Sequence, residues 1–138
     1  METFVWPVRV YYEDTDSGGV VYYANYLKFM ERARTEWLRA RGFEQDALLR
    51  DRRLLFAVRR LEVDYHRPAR FNDQLEVMSQ VARVGCANLT FAQTIQRVDS
   101  TSTEVLCGAR VKVACIDAGS FQACRMPRDL MREIIGDA

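Results

Sequence analysis

The segment from Arg9 to Arg34 reads RVYYEDTDSGGVVYYANYLKFMERAR and concentrates the groups that could do chemistry. Asp14 and Asp16 stand two residues apart, and the pair Gly18-Gly19 follows after a single serine. A glycine pair lets the backbone bend tightly and approach a ligand closely. The first turn of a helix placed just beyond would offer unpaired N–H groups and the positive end of a dipole. An oxyanion formed from a thioester carbonyl could bind there. A carboxylate facing that point could attack the carbonyl itself or deprotonate a water that does. A thiolate leaves readily, so no strong general acid is needed. The same residues also fit a capped surface turn, and the residue types alone leave both readings open.

The elements that must position these groups are legible from periodicity. Val5 to Tyr12 is rich in Val, Trp and Tyr and reads as a strand, ending in the turn chemistry of Glu13 to Gly19. Asn25 to Arg41 carries Tyr26, Met30, Ala33, Trp37 and Ala40 at helical steps, with Asn25 as the expected N-cap and Gly42 as the expected C′ residue. Gln45 to Arg50 suits a short second helix. Alternation then predicts strands around Leu61, Val63 and Tyr65, around Leu75, Val77 and Val81, and around Leu89, Phe91 and Ile95. Val105, Cys107, Ala109, Val111, Val113 and Cys115 give the clearest period of two. Pro127 is placed to open a last helix up to Ile135. One long helix must serve the whole sheet, so the economical packing wraps one sheet around it. Sheet edges left over need a partner, which predicts a dimer at least.

Composition narrows the class. The 138 residues fit one domain, residues 1–138, with 49% apolar residues and twenty basic against nineteen acidic side chains. A net charge of +1 lacks the basic excess of a nucleic-acid binder. Cys86, Cys107, Cys115 and Cys124 form no CxxC pair and the one histidine, His66, is remote from them, so no metal site is expected. No apolar run is long enough to span a membrane, and the first residues show no secretory pattern. A reduced cytoplasmic protein is the expectation.

The same segment resembles the signature of the 4-hydroxybenzoyl-CoA thioesterase-like branch of the hot-dog superfamily, and most of all its YbgC-like, Tol-Pal system-associated acyl-CoA thioesterases. The resemblance rests on Arg9 to Asp16, Gly18-Gly19-Val20-Val21-Tyr22, Ala24-Asn25-Tyr26 and Glu31-Arg32-Ala33-Arg34, with Pro68-Ala69-Arg70 further on. It implies an α+β hot-dog fold, an antiparallel five-stranded sheet wrapped around one long central helix. It also implies hydrolysis of acyl-CoA to free acid and CoA, without a cofactor. Asp16 falls on the family's catalytic aspartate, and the oxyanion-binding backbone N–H falls at or near Tyr23. The close subfamily usually has histidine at this place, and aryl-CoA members of the wider family can carry tyrosine. A backbone contact survives that difference; a side-chain role does not carry over.

Gly18, Gly19 and Val20 are expected to line the substrate. Glu31 either positions substrate or pairs with an arginine. Arg59-Arg60 and Arg67 with Arg70 either hold the CoA phosphates, which suit arginine forks, or lie solvated beside strands. His66 reads as a structural or surface residue, and Trp37 and Met30 as core residues before acyl-pocket lining. A hot-dog dehydratase is disfavoured, because those enzymes use a histidine with an acidic partner. The competing reading is a non-catalytic acyl-thioester-binding or scaffolding protein, which the resemblance would link to phospholipid-synthesis proteins, acyl carrier protein or the Tol-Pal system. The resemblance also implies a homo-oligomer, a dimer of dimers.

Overall fold

The computed structural model describes residues 2–136. In chain order the elements are β1 (Phe4–Arg9), α1 (Asn25–Ala40), α2 (Gln45–Arg52), β2 (Leu54–Tyr65), β3 (Gln74–Val84), β4 (Asn88–Val98), β5 (Thr103–Asp117) and α3 (Arg128–Ile135). The strands form one antiparallel sheet in the order β1-β3-β4-β5-β2. This is the expected α+β architecture, with β1 and β2 at opposite edges.

Alternation sets the two faces. Leu75, Val77 and Val81 of β3, Leu89, Phe91 and Ile95 of β4, and Cys107, Val111 and Val113 of β5 are buried on the helix side. Tyr26, Phe29, Met30, Ala33, Trp37 and Leu38 of α1 are buried against them. Full burial of side chains of this kind contributes roughly 1.5–3 kcal/mol each, so this contact dominates the fold. One polar network lies inside it. Gln93 donates to the Met30 carbonyl at 3.0 Å and to Ser79 Oγ at 2.8 Å, and accepts from Arg34 Nη1 at 2.9 Å. A satisfied buried amide fixes the helix to one register on the sheet, since a slip would orphan several polar groups at once.

The edges differ. β1 carries Pro7 opposite Glu76, which is tolerable because β1 has one neighbour. In β2, Val58, Leu61 and Tyr65 pair with Val113, Val111 and Cys107 and so share the helix-bearing face, yet they are 50%, 39% and 46% exposed. An apolar strip beside an unpaired edge is left open in one chain.

Several boundaries differ from the sequence reading. β1 stops at Arg9, because the Asp14 carboxylate accepts the Tyr11 amide at 2.8 Å and draws Tyr12–Asp14 into a 3-10 turn. Ala24, and not Asn25, holds the cap position of α1. The other end follows expectation: Gly42 has φ +93°, its N–H donates to Arg39, and the Phe43 N–H donates to Leu38. α2 runs to Arg52, and β2 begins seven residues before Leu61, with a register shift between Val58 and Arg60. Pro127 stands at the residue before the first turn of α3 and so opens that helix, as expected.

Candidate active site

The loop between β1 and α1 is tied down residue by residue. The Asp14 carbonyl accepts both the Tyr22 amide at 3.0 Å and Asn25 Nδ2 at 2.9 Å, which joins the start of the loop to the start of the helix. Asn25 spends its side chain on this tie, which is why it caps nothing. Val21 donates to the Ala69 carbonyl at 2.8 Å, and the Ala69 amide donates to the buried Tyr26 hydroxyl at 2.9 Å. Burial pushes the Tyr26 hydroxyl above its usual range, so it stays protonated and neutral.

Asp16 sits at the exposed tip of this frame. Its amide donates to Val20 at 2.9 Å, its carbonyl accepts from Gly19 at 3.0 Å, and its Oδ1 accepts the Gly18 amide at 2.8 Å. The two glycines serve different needs. A Cβ on Gly18 would lie 3.2 Å from Asp16 Oδ1, and Gly19 has φ +79°. A side chain at 18 would press on the carboxylate, and one at 19 would strain the backbone.

The peptide preceding the helix is oriented by its own carbonyl. Tyr22 C=O accepts the Asn25 amide at 2.8 Å and is therefore turned toward the helix start. In a trans peptide the N–H points opposite to the C=O, so the Tyr23 N–H faces away from the helix. Among the described residues it has no acceptor. The Tyr23 side chain is 62% exposed, and its ring lies against Tyr22 and Tyr65. Tyr23 also pushes the Tyr22 hydroxyl above its usual range.

The remaining predicted site residues do not all converge. Gly18, Gly19 and Val20 are in the Asp16 loop, and Val20 bridges to Arg70. Arg67 lies two residues beyond Tyr65, at the same end of the sheet, with its guanidinium 3.7 Å from Glu104. Arg59 is exposed, six residues before Tyr65 and so about 20 Å up the strand. Arg60 pairs with Glu62 at 2.8 Å. His66 is exposed, and its amide bonds Leu106. Glu31 is eight residues past Tyr23, about 12 Å along the helix, and accepts the Thr35 hydroxyl at 3.2 Å. It forms the wall of a cavity of about 120 Å³ together with Arg34, Thr35, Trp37, Phe56 and Phe91. Met30 is in the core and not in that wall. Among the described residues no cluster of His, Cys, Asp or Glu is placed to hold a metal, and no helix is long and apolar enough to cross a membrane.

Tyr65 is the residue the sequence reading missed. Its hydroxyl donates to the Tyr23 carbonyl at 3.0 Å, across 42 residues. Alternation marked it as a strand residue, and nothing local could place that strand end against the helix start.

Comparison with known proteins gives this geometry its context. A family model for the thioesterase-like superfamily matches residues 10–134. The acyl-CoA thioesterase YbgC of Haemophilus influenzae is 46% identical over 127 residues, covering 92% of this chain and 90% of its own. The acyl-CoA thioester hydrolase YbgC of Escherichia coli O157:H7 is 44% identical over 130 residues, covering 94% of each. The fold matches the crystal structure of a mutant 4-hydroxybenzoyl-CoA thioesterase complexed with 4-hydroxybenzoyl-CoA, with a TM-score of 0.89, 14% identity, and coverage of 96% of this chain and 98% of that one. The chain belongs to the thioesterase-like superfamily and, within it, to the YbgC acyl-CoA thioesterases, with the hot-dog fold that the first forty residues implied.

Proposed function

We propose that this protein hydrolyses acyl-CoA thioesters to free acid and CoA, with Asp16 as the catalytic carboxylate and the Tyr23 N–H as the oxyanion donor. The observation that carries the reading is the unoccupied, outward-facing Tyr23 N–H on the same tied loop as Asp16. The thioester carbonyl oxygen accepts from Tyr23 as charge develops on it. Asp16 either attacks the carbonyl carbon or takes a proton from the attacking water, and the CoA thiolate departs. One oxygen of Asp16 is held by Gly18, which leaves the other free for that work.

Arg67 and Arg70, at the same end of the sheet, suit the CoA phosphates better than Arg59 does. The cavity beside Trp37 and Phe91 offers an apolar wall to an acyl tail. The open strip on β2 calls for a second copy of the chain, and the family makes a dimer of dimers the natural assembly. The cysteines are free thiols, which suits the reducing cytoplasm.

A thioester panel tests the proposal: short-chain, medium-chain, palmitoyl and aromatic acyl-CoAs, each incubated with purified protein. Release of CoA from at least one class is expected. If no member is turned over, the hydrolase reading fails and the non-catalytic acyl-thioester-binding reading takes its place.

A further inference from the structure

We infer that Tyr65 is a positioning residue for the oxyanion peptide, and that it links that peptide to the edge strand on which a second subunit would pack. The inference rests on the catalytic role proposed for the Tyr23 N–H. Two peptides flank the Tyr23 Cα; its N–H lies in the plane of the first and is coupled to the second through the φ and ψ of Tyr23. The first is fixed locally, Tyr22 C=O to Asn25 N–H at 2.8 Å. The second is fixed from a distance, Tyr23 C=O to the Tyr65 hydroxyl at 3.0 Å. No other side chain among the described residues holds the second peptide. Helix ends fray when their peptides are left to solvent, so this bond decides how sharply the Tyr23 N–H is aimed.

The Tyr65 ring is itself braced. It stands edge-on to Tyr26 at 5.5 Å, and Tyr26 is buried in the core and tied to Ala69. Partial burial pushes the Tyr65 hydroxyl above its usual range, so it remains a protonated donor at neutral pH. Tyr65 is also 46% exposed on the open apolar face of β2, beside Leu61. A subunit covering that face would bury Tyr65 and strengthen its bond to Tyr23, because a hydrogen bond gains strength as water is excluded. Assembly and oxyanion geometry then share one residue.

Tyr65→Phe keeps the ring and removes the donor. Its kcat is expected to fall about tenfold with KM unchanged, since an interaction that matters mainly in the transition state is lost. The melting temperature and the oligomeric state should stay close to wild type. Backbone amide exchange in the segment 20–27 should accelerate, with exchange in β3 and β4 unaltered. The exchange experiment reads the peptide directly and needs no turnover. An inactive wild type with faster exchange in the variant would leave the positioning intact and refute the hydrolase reading. Unchanged exchange, wild-type kcat, or a loss spread equally over kcat, KM and stability would each overturn the assignment of Tyr65.

Discussion

Oδ1 of Asp16 accepts the Gly18 amide at 2.8 Å, while its second carboxylate oxygen has no partner among the described residues. An asparagine can keep the first contact, because its side-chain oxygen accepts as a carboxylate oxygen does. It cannot attack a carbonyl or take a proton. Asp16→Asn should therefore fold normally and lose at least about a hundredfold in kcat, a typical scale for lost acid–base or nucleophilic help. Steady-state kinetics together with a thermal melt separate the two effects. Near-wild-type turnover would move the catalytic carboxylate elsewhere.

The proposed role of Tyr23 is that of its backbone N–H, which makes its side chain secondary. Tyr23→Phe should lose less than about tenfold in kcat/KM, under roughly 1.4 kcal/mol of transition-state stabilisation. Tyr23→His, which restores the residue usual in the close subfamily, should also stay active. Proline at this position removes the N–H and should cost on the order of a hundredfold, with a fold check by circular dichroism. A Phe variant as dead as Asp16→Asn would make the exposed hydroxyl a catalytic group.

The strands with one buried face were legible, because Leu75, Val77 and Val81 or Val111 and Val113 repeat at the period of the pleat. The first half of β2 was not. Leu54 to Val58 reads LLFAV, five apolar residues in a row with no alternation, since α2 also packs on this end of the strand. Asp16 and Gly18-Gly19 stood out through the family resemblance, since their types and spacing alone fit a capped surface turn as well. The tie of Asn25 to Asp14 was not, because a cap and a loop clamp ask for the same side chain. Tyr65 lay furthest from reach: its bond to the Tyr23 carbonyl exists only once β2 has crossed to the far edge and brought its end back to the helix start.

Leu61 tests the open face of β2. It is 39% exposed and shares that face with Val58 and Tyr65. In an isolated chain a surface substitution there costs within about 0.5 kcal/mol. In an assembly, a carboxylate buried at the centre of an apolar contact without a partner is far more damaging. The wild type should scatter light as a dimer or tetramer at micromolar concentration, and Leu61→Glu should shift it toward the monomer while the chain remains folded. A monomeric wild type would remove the inter-subunit contact altogether.

The four cysteines should respond unequally to thiol reagents, which bears directly on any assay that detects released CoA by its thiol. Cys86 is exposed, whereas burial pushes the Cys107 and Cys115 thiols up to about 12. The thiolate is the reactive form, so at pH 8 a thiol near 12 is ionised in only about one molecule in ten thousand, against about a tenth for a cysteine at the ordinary value of 9.0. Cys124 is half-buried, with its sulfur 3.7 Å from that of Cys115. Ellman's reagent should therefore show a single fast thiol in the native protein and all four after denaturation. The fast signal should vanish in Cys86→Ser, giving a clean background for the thioesterase assay. The same shifts set an alkaline limit. The folded state keeps both protons where the unfolded chain, near the ordinary value of 9.0, begins to release them. Stability from these groups is full below about pH 9 and is lost as pH rises toward 12. Rapid labelling of Cys107 or Cys115 in the native protein at pH 8 would show that the helix-side face of β5 opens to solvent, and that the core under α1 is looser than its packing implies.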